Sequence, residues 1–120
     1  MPLKRLVMEL GMGTDIRGGD YTKAAIRAVE NALRQNALTV TDAFGMAHHD
    51  MKVDIHLGAG KPEEVDADQV AAILPYGSAE VKVTKGGLDT MREDGTPGTI
   101  LVNAALVVYL DLPEDKEWIV

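Results

Sequence analysis

The sequence predicts an α/β (or α+β) fold, a four-stranded mixed sheet with two helices on one face. Three observations lead there. Apolar residues alternate with a period of two in some stretches and recur at spacings of three and four in others. The helical stretches fall between strand-like ones, in the order β-α-β-α-β-β. At 120 residues and 46% hydrophobic content, the chain has the length of one domain, 1–120, and too much apolar material for disorder.

Each element has its own signal. Residues 4–12 put Leu6, Met8, Leu10 and Met12 on one face and Arg5, Val7 and Glu9 on the other, which is a strand. A glycine-rich turn runs from Gly11 to Gly19. Asp20 is the expected N-cap of a helix over 21–37. That helix gathers Ala25, Ala28, Val29, Ala32 and Leu33 on one face, with Glu30 and Arg34 as an i,i+4 pair on the other. Residues 39–50 read as a loop. Met51, Val53, Ile55 and Leu57 then alternate with Lys52, Asp54 and His56 in the cleanest strand of the chain, ended by Gly58 and Gly60.

Asp66 and Gln69 are placed for a capping box, in which the Gln69 side chain reaches back to the Asp66 amide. Val65 and Val70 sit where a hydrophobic staple puts them. This second helix is expected to run through Leu74 and to stop at Pro75-Tyr76-Gly77. Glu80 to Thr84 alternates as a third strand. Residues 86–98, rich in glycine and proline, read as a long hairpin loop. Thr99 to Leu110 is apolar on both faces, which suits a central or an interface-covered strand. The last two strands are expected to pair as a hairpin.

On this layout the helix-free face carries Arg5, Glu9, Lys52, Asp54, His56, Glu80, Lys82 and Thr84, beside one apolar strand. Half of such a face wants covering, and a second copy of the chain is the expected cover. Trp118, Ile119 and Val120 close an acidic tail and are expected to dock, on the chain's own sheet or on a neighbour's uncovered face.

Composition removes several function classes. Without cysteine there is no disulfide scaffold, thiolate metal site or cysteine nucleophile. Acidic residues outnumber basic ones 19 to 12, for a net charge of −7, so most of the surface repels a phosphate polymer. Aromatic residues make up only 4%, too few for base-stacking platforms. No nucleic acid partner is expected. The N-terminal residues lack the apolar core of a signal peptide, and the longest apolar run, 100–110, is shorter than the roughly 20 residues a membrane helix needs. No membrane partner is expected, and the cytoplasm is the expected location. No pattern names a cofactor, which stays unknown.

Gly11-Met-Gly-Thr-Asp-Ile-Arg-Gly18 lies between a predicted strand and a predicted helix, where backbone amides can face an anion. It is neither a dinucleotide fingerprint, since Ile16 holds the sixth position, nor a P-loop. Gly11, Gly13, Asp15, Arg17 and Gly18 are the candidate ligand-binding residues, with Arg17 able to clamp a carboxylate. The alternative is a tight connection in which Asp15 makes an Asx-turn. The same segment resembles the GxGxDxHG signature near the N-terminus of the "Lin" family of small conserved hypothetical proteins. Gly11, Gly13, Asp15 and Gly18 match it, and Arg17 stands at the histidine. The resemblance implies a site but no chemistry. Arginine is neither a neutral base nor an ordinary metal ligand, so a histidine-dependent step does not carry over.

His48, His49, Asp50, Asp54 and His56 form a second constellation. Asp54 and His56 share one strand face. They are the candidate catalytic pair, Asp54 orienting His56 as a base. Two other readings stay open, a divalent metal site and a solvated polar face. Glu9 and Glu80 join Asp54 if their strands are neighbours, as shifted carboxylates or in cross-strand ion pairs with lysine. The resulting expectation is a small-molecule-binding protein, enzyme or not, with a site at turn 11–20 near a subunit interface. The alternative is a non-catalytic oligomeric interaction module in which the turn is structural.

Overall fold

The computed structural model describes residues 3–35, 51–74 and 78–111. The expected loop 39–50 with His48, His49 and Asp50, the stop at Pro75-Tyr76-Gly77 and the docking of Trp118, Ile119 and Val120 lie outside these residues.

Alternation and helical spacing each produce the element they imply. Strand β1 spans Leu3–Asp15, helix α1 Tyr21–Gln35 and strand β2 Lys52–Ala59. A 3-10 turn at Pro62–Glu64 precedes the short helix α2, Ala67–Ala71. Strands β3, Ser78–Lys85, β4, Leu88–Met91, and β5, Pro97–Asp111, complete the set. The architecture is thus α+β, with a mixed sheet of five strands where four were expected. The extra strand, β4, lies inside the stretch read as a hairpin loop. Its backbone pairs with β5 through Leu88↔Leu101 and Met91↔Pro97 although its side chains are exposed. Alternating burial, the usual sign of a strand, is therefore missing.

The sheet order is β1-β5-β2-β3, with β4 also on β5. β5 is antiparallel to β1, β2 and β4, and β3 lies parallel to β2. The apolar strand is central, as its composition requires. The hairpin expected between the last two long strands does not form. β3 takes the outer edge beside β2, and β4 makes the hairpin with β5. Helix α2 explains the preference, because a strand–helix–strand crossover returns β3 parallel to β2.

Alanines allow α1 to lie close to the sheet. Ala24, Ala25, Ala28, Val29 and Ala32 are fully buried against Val53, Ile55, Leu57, Val102, Leu106 and Val108. Asp20 caps α1, accepting from the Lys23 amide at 3.0 Å. Asp66 caps α2, accepting from the amides of Asp68 and Gln69. The return leg of the capping box is not made. Gln69 donates to the Asp66 carboxylate at 2.9 Å, while the Asp66 amide donates to the Thr22 hydroxyl at 2.8 Å. This cross-link ties α2 to α1, and the regular part of α2 ends at Ala71, short of Leu74.

The face assignment of β1 is reversed relative to expectation. Glu9, Gly11, Gly13 and Asp15 point towards α1 and are buried, whereas Met8, Leu10 and Met12 lie on the helix-free face, 47%, 61% and 60% exposed. Glycine decides the matter. A Cβ on Gly11 or Gly13 would come within 3.0 Å of α1 backbone atoms at Ala28 and Ala32 or at Ala24 and Arg27. Only the glycine side of β1 admits the helix. The register slips between Arg5 and Val7, so Arg5 pairs with Tyr109 on the helix-free side while Val7 packs against the core. Glu9 therefore leaves the polar face on which it was expected.

Candidate functional site

The glycine-rich segment is built around a buried carboxylate. Asp15, at the end of β1, is 5% exposed. Its Oδ2 accepts the Asp20 amide at 2.9 Å, closing the loop 16–20 onto the head of α1. The Asp20 amide holds the Asp15 carboxyl below its ordinary range; burial opposes this, and Lys23, the Gly18 amide and Arg27 add to it. Arg27 Nη1 stands 4.0 Å from Asp15 Oδ1 and donates to the Thr14 carbonyl at 2.7 Å. A Cβ on Gly18 would lie 2.8 Å from Asp15 Oδ2 and would press on the carboxylate that closes the loop. Gly19 has φ +64°, the left-handed region that glycine adopts freely.

Gly11, Gly13, Asp15 and Gly18 thus each have a packing task. Gly11 and Gly13 admit the helix, Asp15 closes the loop, and Gly18 makes room for Asp15. Arg17 is the exception, exposed at the surface of the loop. The segment is a tight connection, but the Asp15 carboxylate closes it from Asp20, five residues on, rather than across the two-residue span of the expected Asx-turn.

A second carboxylate lies in the same cross-strand row. Asp15 and Asp89 both pair with Ile100, one on each side of β5. Asp89 accepts a short hydrogen bond from the Tyr21 hydroxyl. That bond, then burial, then the negative charge of Asp89, Glu64 and Glu63 push the Tyr21 pKa up to about 12. A tyrosine so shifted holds its proton and acts as a donor. Gly60 leaves the space that the Asp89 carboxylate fills. Tyr21 and Asp89 were not singled out in the sequence. The available signal was an aromatic residue directly after a helix cap, which by itself says nothing about a partner 68 residues away.

The helix-free face divides along its length. Cross-strand rows read Arg5–Tyr109–Lys52–Ser78, then Met8–Val107–Asp54–Glu80, then Leu10–Ala105–His56–Lys82, then Met12–Asn103–Gly58–Thr84. The β1 and β5 half is largely apolar, and Leu88 of β4, 59% exposed, extends it past Leu101. The β2 and β3 half is charged and polar. Asp54 and His56 share this face as expected, and Glu80 is the cross-strand neighbour of Asp54.

Their environments differ. His56 is exposed, whereas Asp54 is 8% exposed and its Oδ1 is buried, with no hydrogen-bond partner among the described residues. Among the described residues no hydrogen bond joins Asp54 to His56, and no group of three His, Asp or Glu has the arrangement to hold a metal. A shallow groove of about 350 Å³ lies between Leu10, Gly11, Met12, Asn31, Asn103 and Ala104. Asn31 accepts the Met12 amide there at 3.0 Å, and with Arg27 on Thr14 it occupies part of the free edge of β1.

The fold and these sites define a small α+β protein with a glycine-dependent strand–helix joint and, among the described residues, a second sheet face that is apolar on its β1 side. The chain belongs to the family described as "Conserved hypothetical protein (Lin0512_fam)", whose model matches residues 5–108. It is similar to the crystal structure of an FtsZ-like protein of unknown function from Nostoc punctiforme. The identity is 33%, over 93% of this chain and 99% of that one, with a TM-score of 0.83. No curated protein matches the chain. Among the described residues no helix is long and apolar enough to cross a membrane.

Proposed function

We propose that the protein is a self-associating interaction module whose copies meet through the apolar half of the helix-free sheet face. One observation carries this reading. Met8, Leu10 and Met12 stand in a row on an edge strand, each about half exposed or more, and Leu88 continues the patch. Contiguous exposed apolar area of this kind marks contact surfaces in soluble proteins. A second copy supplies the same area in return. Equilibrium sedimentation at micromolar concentration tests the reading. A multiple of 12.9 kDa is expected, reduced towards the single-chain mass by Leu10→Ser with Met12→Ser. A single-chain mass for the unaltered protein would overturn it.

A small-molecule site at turn 11–20 is a second reading, and Arg17 is what favours it. Arg17 is exposed, in the loop before α1 that Asp15 holds closed. Arg17→Ala is then expected to lower the thermal shift given by carboxylate metabolites while leaving the unliganded melting temperature unchanged. An unliganded protein several degrees less stable would make Arg17 structural instead.

A further inference from the structure

We infer that the outer edge of β1 is a strand-docking site for the β1 of a second copy, held shut by Asn31 and Arg27 of α1. This goes beyond contact between sheet faces, because it concerns backbone groups rather than exposed side chains. Among the described strands β1 is the end strand of the order β1-β5-β2-β3, and it runs for 13 residues. Long edges template the addition of another strand, and native proteins blunt them with lysine, proline, bulges, inward charge or a covering element. From Val7 to Asp15 the strand has no lysine or proline. It has a bulge between Arg5 and Val7 and a buried inward carboxylate at Glu9. The helix supplies the remaining device.

The Met12 amide donates to Asn31 Oδ1 at 3.0 Å, and the Thr14 carbonyl accepts from Arg27 Nη1 at 2.7 Å. In an antiparallel pair alternate residues turn both backbone groups to the same side. Met12 and Thr14 therefore face away from β5, and Met8 and Leu10 face the same way. The spacing of helix and strand makes this double contact possible. Two residues of strand advance roughly 6.8 Å, and four residues of helix roughly 6 Å. α1 runs antiparallel to β1 over Gly11 and Gly13, so Arg27 meets Thr14 and Asn31 meets Met12.

A second copy is the occupant this edge fits. About a two-fold axis beside Gly11, Met8 of one strand faces Thr14 of the other and Leu10 faces Met12, in both directions. Every outward residue from Met8 to Thr14 then meets an outward residue, as strand addition requires. Glycine faces glycine at the axis. Leu10 and Met12, both mostly exposed in the chain, become apolar cross-strand pairs. This register needs the Met12 amide for the facing Leu10 carbonyl and the Thr14 carbonyl for the facing Met8 amide. Those are the two groups that Asn31 and Arg27 hold, so the latch and the pairing exclude one another.

Asn31→Ala and Arg27→Ala open the latch, and sedimentation equilibrium with amide hydrogen exchange reads the result. At dilutions where chains are single, the Met12 amide of Asn31→Ala should exchange about tenfold faster than in the unaltered protein. At higher concentration the double variant should associate about tenfold more tightly than the unaltered protein, and the Met12 amide should regain protection. Asn31→Asp and Arg27→Lys keep an acceptor and a donor in place and should associate as the unaltered protein does. If they associate as tightly as the alanine variants, the latch is overturned. A double variant that associates no more tightly would overturn the docking site. So would one that associates while the Met12 amide stays unprotected, since contact between sheet faces makes no bond to that amide. If Arg27→Ala does not fold, having lost its contact with Asp15, Asn31→Ala alone carries the exchange test. Protection that returns with concentration then supports the site, and protection that never returns overturns it. The two readings fail separately. A monomeric unaltered protein removes association through the sheet faces and leaves the edge to be read in the variants.

Discussion

β1 and β2 are parallel strands of one sheet, and they treat the alternation of side chains in opposite ways. In β2 the large residues Val53, Ile55 and Leu57 face α1 and the core, while Lys52 and His56 face away. In β1 the inward positions hold Glu9, Gly11, Gly13 and Asp15, and the large side chains Met8, Leu10 and Met12 face out. Both strands have period two. In β2 the core is filled by the strand's own side chains. In β1 the helix backbone occupies that space, and the strand contributes absence of side chain. Hydrophobic alternation therefore reports that a strand exists but not which face is buried, once a helix packs close enough to demand glycine. The apolar residues displaced to the other side, Met8, Leu10 and Met12, are among the most exposed large hydrophobic side chains described.

Four substitutions can break or sharpen this contrast. The largest effect is expected from Gly13→Ala, whose added methyl would collide with α1 backbone at Ala24 and Ala28. Helix backbone cannot yield as a side-chain tip can, so a loss of about 3 kcal/mol or more is expected in urea denaturation. A loss below about 1 kcal/mol would mean that α1 is not held against β1 as described.

Asp15→Asn comes next. It keeps the shape of the buried loop closure but removes its charge, for an expected loss of about 1–3 kcal/mol at pH 7. The folded-state pKa of Asp15 lies below the ordinary value of 3.8. Its stabilising contribution is thus present above that value and lost as pH falls through the lower folded value. The acid limb of the stability curve should be shallower in the variant than in the unaltered protein, and parallel limbs would contradict the assignment.

Tyr21→Phe removes the donor to Asp89. The carboxylate is exposed and regains water, so about 1 kcal/mol is expected. The Tyr21 pKa is raised from 10.0 to about 12. The associated stability is therefore present below pH 10 and lost as pH climbs towards 12. Denaturation midpoints at pH 8 and pH 11 should converge between the two proteins.

The smallest effect on the fold is expected on the outer face of β1. Leu10→Ser should change the stability of the single chain by less than about 0.5 kcal/mol, since the side chain is mostly exposed. Self-association should nevertheless weaken. A large loss of stability measured at concentrations where only single chains are present would place Leu10 in the core and undo the contrast with Gly11.

Much of this protein could be read from local pattern alone. The cap at Asp20, the alanine face of α1, the strand of Val53, Ile55 and Leu57 and the central position of the apolar strand all follow from spacing and residue type. These are short-range properties, set by backbone propensity and by periodicity within one element. The glycine signature was legible as a special segment, but its task was not, because the atoms that exclude a Cβ at Gly13 belong to residues 24, 27 and 28. Tertiary structure decided which way β1 faces, which strands are neighbours, and that Tyr21 meets Asp89. It also decided that Asp54 is buried while its strand neighbour His56 is exposed. Each of these depends on groups brought together from distant parts of the chain, and residue type carries no information about the partner until packing supplies one.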